Sequence, residues 1–300
     1  MKAVGLILFL VLLLSFQAKA QRTDIMDKER VAQVDSLLND VLFGDDDLLD
    51  LLLEENTFQF LYVATNWSNR TYYAGRENGS YQSNLSGQIY YMHSNGFYAG
   101  ISGSWYSQLE PNYRSTILSI GYGKSLKKHS YFRYRFSADY FIFHVNDPEF
   151  DPIYNSSLNA GLSLKSKTLG TSIDGSLLVG QEFGQQFIWN TDAYLYLARF
   201  GNYNYLRLEP EVSLFFGSEA AEFLLNEAYF DQTTNEEIDT YYRDVFALLN
   251  TQLRLPLSLN WNNFDMQLTY LYNIPRTIGD GEPYPNTSFF RISLGYIFSL

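Results

Sequence analysis

The chain has 300 residues with a formal net charge of -12; 17% of them are aromatic and none is Cys. Lacking Cys, it has no disulfide framework, thiolate metal site or cysteine nucleophile. The acidic balance argues against nucleic acid, which needs clustered Lys and Arg, and three His leave little room for a metal site, so neither a metal nor a cofactor is expected.

Lys2 precedes an apolar run from Val4 to Leu14, and Ala18-Lys19-Ala20 stands before Gln21. A charged start, a short apolar run and an A-x-A-like site make a secretory signal peptide over 1–20. The run is shorter than the roughly 20 residues that a spanning helix needs, which disfavours the alternative of an uncleaved anchor. No apolar run long enough for a membrane helix follows, so a helical membrane protein is excluded.

Residues 21–56 carry 11 acidic residues against Arg22, Lys28 and Arg30, a net of -8. Val31, Val34, Leu37, Leu38, Val41 and Leu42 recur at helical spacing, so 24–43 reads as an amphipathic helix. Gly44 and the Asp45–Asp47 run end it. The favoured reading is a solvated acidic leader; the alternative is a periplasmic docking segment or plug, which makes 21–56 a possible contact for a periplasmic partner.

Of the 52 aromatic residues, 49 follow position 56, and there the chain breaks into twelve period-two segments. They lie near 57–66, 81–91, 97–107, 115–124, 131–144, 156–166, 170–181, 187–199, 205–216, 245–259, 264–274 and 290–300. In 131–144, Phe132, Tyr134, Phe136, Ala138, Tyr140 and Ile142 oppose Arg133, Arg135, Ser137 and Asp139. In 245–259, Val245, Ala247, Leu249, Leu253, Leu255, Leu257 and Leu259 oppose Asn250, Gln252, Arg254 and Ser258. In the last segment Phe290, Ile292, Leu294, Tyr296, Phe298 and Leu300 form a wholly apolar face.

Soluble strands usually run about 5–6 residues, whereas a strand crossing a bilayer at a tilt needs about 9–11. Length and alternation predict an all-β fold over 57–300: a transmembrane antiparallel up-and-down β-barrel of about twelve strands, facing outer-membrane lipid. Its apolar outside and closed sheet satisfy every backbone polar group in hydrocarbon. Linkers alternate between short and mostly long, and the strand count is even, so both ends are expected in the periplasm. Tyr62, Tyr91, Tyr122, Tyr140, Tyr272 and Tyr296 fall near strand ends as headgroup-level rings.

The final segment resembles the C-terminal signal of Gram-negative outer-membrane β-barrel proteins. Phe298 and Tyr296 match that pattern, and Leu300 departs from its usual aromatic end. The likeness extends over roughly 57–300. The Ala20-Gln21 junction and the Tyr- and Asn-rich style are similar to barrels of the Bacteroidota. It implies that the barrel assembly machinery reads the last strand.

The inward positions carry Arg133, Arg135, Asp139, Asp174, Asp192, Arg207, Glu209, Glu211, Arg254, Asp265 and Arg291, five Arg to six acids. They fit a structural ion-pair network or a charged constriction selecting small solutes. The function expected is a narrow porin-like channel or a structural or accessory barrel. Residues 217–243 form the longest linker; Ala220, Ala221, Phe223, Leu224, Leu225 and Ala228 fit a short external helix, a lid or an inward-folded constriction.

Two alternatives compete with a passive barrel. An outer-membrane enzyme would use His144 at the external rim, beside Asp147 and Asp151 and with Ser156 across the loop; His93 and His129 fall in predicted periplasmic turns. No catalytic motif surrounds them. A soluble secreted β-sandwich would need one solvated polar face on every strand, and the strands are too long for it.

Overall fold

The computed structural model describes residues 59–300, apart from 74–75, 78–81, 127–128, 147–149, 167, 201–203, 232–235 and 280–281. The signal peptide, the acidic segment 21–56 with its helix, and the first two residues of the expected barrel lie outside the described residues.

Twelve antiparallel strands close into one barrel. They are β1 (Gln59–Ser68), β2 (Asn84–His93), β3 (Phe97–Tyr106), β4 (Tyr113–Leu126), β5 (His129–Phe143) and β6 (Tyr154–Lys165), followed by β7 (Leu169–Gly180). Strand β8 runs in two pieces, Phe183–Ala193 and Leu195–Phe200, and β9 likewise in Asn204–Leu208 and Glu211–Asp231. The last three are β10 (Glu236–Trp261), β11 (Phe264–Pro275) and β12 (Thr287–Ser299). Each pairs with its sequence neighbours, and β12 pairs with β1 from Phe60↔Ser299 to Ser68↔Arg291, which closes the sheet. All twelve period-two segments are therefore strands. Among the described residues no helix is long and apolar enough to cross a membrane; the crossing elements are the strands.

The alternation settles which face is which. On β5 Phe136 and Tyr140 are 54% and 53% exposed, while their neighbours Arg135 and Asp139 are 1% and 3% exposed. A belt of large exposed apolar side chains circles the barrel, including Leu118 on β4, Leu158 on β6, Leu253 on β10 and Leu294 on β12. A soluble sandwich would bury those side chains between two sheets; here a single closed sheet turns them outward, which rules the sandwich out. An apolar outside, an inside that holds the charged and polar side chains beside a buried cluster of Phe60, Met92, Ile117, Phe141 and Leu178, and no open edge are the architecture of an outer-membrane β-barrel.

Short turns gather at one end. Gly96, with φ 98°, closes the turn between β2 and β3, and Asn262, with φ 54°, closes that between β10 and β11. Such left-handed positions favour Gly and Asn. Gln59 and Ser299 lie at this same end. The longer connections leave the opposite end, where two others are short: Gln181–Glu182 joins β7 to β8, and four residues, 232–235, separate β9 from β10. The first long connection carries a small hairpin, Tyr72–Tyr73 paired with Arg76–Glu77.

Three expectations need correction. The 217–243 stretch forms neither a helix nor an inward loop: β9 and β10 continue as a two-stranded ribbon, with Ser218↔Phe246 through Leu224↔Thr240 and on to Asp231↔Glu236. At about 3.3 Å per residue it runs roughly 40 Å past its neighbours. A lone helix of about twelve residues is marginal in water, and the barrel supplies a ladder that the backbone simply extends. Tyr62 points into the lumen, with its hydroxyl over Gly295, rather than to the headgroups. Leu249 is 3% exposed, because a bulge opposite Phe215–Phe216 takes it out of the outward row.

Candidate functional site

The lumen has two walls of different chemistry. Nine of the eleven predicted inward charges stand on β5–β10: Arg133, Arg135 and Asp139 on β5, Asp174 on β7, Asp192 on β8, Arg254 on β10, and Arg207, Glu209 and Glu211 on or between the two pieces of β9. Asp265 lies near the short-turn rim on β11, and Arg291 stands on β12. Strands β1–β4 hold none of the eleven.

The charges are brought together in pairs. Arg135 Nη2 donates to Asp174 Oδ1 at 2.8 Å and its Nε donates to the same oxygen at 3.2 Å. Gly161, on the strand between them, makes room: a Cβ there would meet Asp174 Oδ1 at 2.4 Å and Arg135 Nε at 2.8 Å. Arg207 Nε donates to Glu209 at 2.7 Å, and its guanidinium lies 4.9 Å from the Tyr194 ring and 5.0 Å from the Tyr205 ring. Arg254 Nη1 reaches both oxygens of Glu211 at 3.2 Å, and Ser213 Oγ adds a donor to Oε1 at 2.6 Å.

On the β5–β10 wall, Asp139 and Asp192 stand outside these three pairs. Asp139 Oδ2 accepts from Ser157 Oγ at 3.1 Å and Asn159 Nδ2 at 2.7 Å. Asp192 lies cross-strand from Glu211 on one side and Gly170 on the other, where a Cβ would meet its carboxylate at 2.6 Å. Arg133 is buried on the same wall, and Arg291 Nε donates to Ser68 Oγ at 3.3 Å.

The opposite wall, β11 and β12 through β4, is built mainly of amides, hydroxyls and rings, with Asp265 and Arg291 as its two predicted charges. Asn273 Oδ1 accepts from Asn250 on β10 at 3.1 Å and from Gln252 at 2.8 Å, while its Nδ2 donates to Thr287 Oγ1 at 3.1 Å. Tyr90 and Tyr98, each 1% exposed, fill the lumen across β2–β4 with their rings 6.5 Å apart. Gly100 and Gly121 leave the space for them, since a Cβ at either would fall within 2.4 Å of a ring. Tyr90 Oη donates to Ser119 Oγ at 3.3 Å.

Packing is uneven around the lumen. The inward side chains of β5–β7 are buried, whereas Gln186 and Asn190 on β8, Asp265 and Gln267 on β11, and Arg291 and Ser293 on β12 keep part of their surface open. Reasoning from single strands missed Tyr90, Tyr98 and Asn273. The first two were findable: each is a large inward ring placed opposite an inward Gly.

Among the described residues the histidines assemble no catalytic set, and Asp147, expected beside His144, lies outside those residues. His93 ends β2, where its Nδ1 accepts from the Asn95 amide at 3.1 Å, and His129 opens β5. His144 Nε2 lies 3.0 Å from Thr116 Oγ1, which is 2.7 Å from Tyr113 Oη. Ser156 Oγ instead donates to Asn155 and to the Val179 carbonyl. Among the described residues no group of three or more His, Asp and Glu is placed to hold a metal ion.

No family model matches the chain, and no curated protein matches it. Its fold is similar in outline to several solved outer-membrane barrels. A KdgM porin is 11% identical with a TM-score of 0.45, covering 80% of this chain and 99% of its own. A NanC porin is 10% identical with a TM-score of 0.44, covering 79% and 98%. LpxR from Salmonella typhimurium is 10% identical with a TM-score of 0.42, covering 79% and 100%. Likenesses this distant carry no site or activity across; the reading of the barrel rests on its own geometry.

Proposed function

We propose that the barrel is a narrow passive channel of the outer membrane, with the ion-paired wall of β5–β10 as its constriction. The observation that carries this is the uneven packing: the inward side chains of β5–β7 are buried, while polar side chains on β8, β11 and β12 keep open surface along the inside. Twelve strands lie between the roughly eight that make a filled barrel and the 16–18 that make an open porin. Both charge signs line the lumen, which suits small polar solutes without a strong charge preference. Planar-bilayer recording of the purified protein is expected to show small discrete openings. Persistent silence would overturn the channel reading, and a periplasmic protein that co-purifies only when 21–56 is intact would favour an accessory barrel.

Arg254→Gln leaves Glu211 without its cation, so the reversal potential in a salt gradient is expected to shift toward cation preference. An unchanged potential would mean that this pair lies off the conduction path. The short-turn end with both strand termini belongs, on this proposal, to the periplasm, with 1–20 as a cleaved signal peptide and the last strand as the segment read by the assembly machinery. Phe298→Ala is then expected to lower the amount of folded barrel in the outer membrane. No catalysis is proposed: the His144 pairing with Thr116 and Tyr113 satisfies polar groups at the rim.

A further inference from the structure

We propose that the outer face of β7–β11 holds one phospholipid acyl chain in a built groove. The groove has a volume of about 580 Å³, within the roughly 300–1,000 Å³ typical of small-ligand clefts. Leu169, Val212, Leu253, Leu255, Tyr270 and Tyr272 line it, and its surface is almost wholly apolar. Most of these side chains belong to the exposed outward row of their strands, so the groove opens toward lipid rather than toward the lumen.

The wall itself explains the dent. Strand β8 breaks at Tyr194 and β9 breaks at Glu209–Pro210, so two neighbouring ladders are interrupted side by side. Pro210 has no N–H to give to a ladder, and its carbonyl accepts from the Ala193 amide at 3.0 Å. Pro256, on β10 next to them, removes a second donor. The strands stay bonded through this irregularity, since Tyr194 N donates to Thr168 O at 2.9 Å and Glu209 N to Pro256 O at 3.0 Å, and the groove lies over it on the outer face.

The occupant follows from the surroundings. The groove is continuous with the belt of exposed apolar side chains that meets hydrocarbon. Water inside it would find almost no polar partner, and an empty cleft would forfeit dispersion contacts along its lining. A hydrocarbon chain of the surrounding bilayer supplies those contacts. A flat neighbouring barrel would bridge the dent without filling it. Asp192, Glu211 and Arg254 also line the groove while adding little polar surface to it, and their cross-strand pairing sets the groove directly against these lumen charges, so the acyl chain props the backbone that carries them.

The test is native mass spectrometry of the full barrel released from phosphatidylethanolamine bilayers, a readout independent of conduction. Wild type is expected to retain one phospholipid. Val212→Trp, which fills the groove, is expected to lose it about tenfold, while Leu118→Trp, on the outer face of β4, keeps it. Leu253→Phe is a milder filling and serves if Val212→Trp does not assemble. Wild type without retained lipid, equal retention by the groove variants, or a second barrel copy in place of the lipid would each overturn the proposal.

Discussion

The two walls of the lumen meet the same demand by different means. Both must fill space and satisfy polar groups that face away from lipid. Strands β5–β10 do it with ions, in the pairs Arg135–Asp174, Arg207–Glu209 and Arg254–Glu211. Strands β11–β4 do it mainly with neutral amides, hydroxyls and buried tyrosines, and carry only Asp265 and Arg291 of the eleven charges. The difference is one of failure. Removing one partner of a buried ion pair strands a charge, whereas removing one amide strands a dipole. The neutral wall therefore tolerates change, and the charged wall is coupled across strands through Arg135–Asp174 and Arg254–Glu211.

The largest expected effect tests that coupling directly. Arg135→Ala leaves Asp174 buried and unpaired, and is expected to destabilise the barrel by about 3–5 kcal/mol, read from denaturant unfolding in detergent. The double replacement Arg135→Met with Asp174→Leu is expected to recover most of that loss, because it removes both charges at once. A double variant as unstable as the single one would end the distinction between the walls. On the neutral wall, Asn273→Ala strands the Asn250 and Gln252 donors and is expected to cost about 1–3 kcal/mol in the same assay. Tyr90→Phe keeps the ring over Gly100 and removes the bond to Ser119, so the expected loss is about 0.5–1.5 kcal/mol with unchanged ion selectivity. His144→Ala is expected to cost about the 0.5–1.5 kcal/mol of its rim hydrogen bond to Thr116 and to alter no lipase or protease activity of the purified barrel; an activity that the variant loses would reopen the catalytic reading.

Much of this architecture was legible along the chain. Strict alternation in segments such as 131–144 and 290–300 predicts strand, length and facing together, because a period of two reports one wet and one apolar side. The inward charges were legible for the same reason. Their partners were not: Arg135 meets Asp174 across β6, and that depends on register and on Gly161, neither of which is a local property. Tyr62 was misplaced because its position near a strand end drew it to the headgroups, although its parity with Ala64 and Asn66 points inward. Leu249 was misplaced because a single bulge reverses parity for the residues on one side of it. The ribbon beyond Gly217 was missed because Ala, Leu and Phe at helical spacing describe an isolated segment, whereas the barrel below it already offers an extended template.

The closure of β12 onto β1 carries a consequence for how the molecule is made. Phe60 must find Ser299, nearly the whole barrel sequence away. Contacts so distant in sequence close late, after the loop entropy of all the intervening strands has been met. Until then β1 and β12 are both raw edges, each able to pair with the wrong strand or another chain. The nascent barrel is thus a curling open sheet whose last event is a seam, and Phe298, Tyr296 and Leu294 lie along that seam. Whatever guides the final strand guards the sheet during the interval in which it has edges, so changes in β12 should act first on yield and only afterwards on the stability of barrels that have already closed.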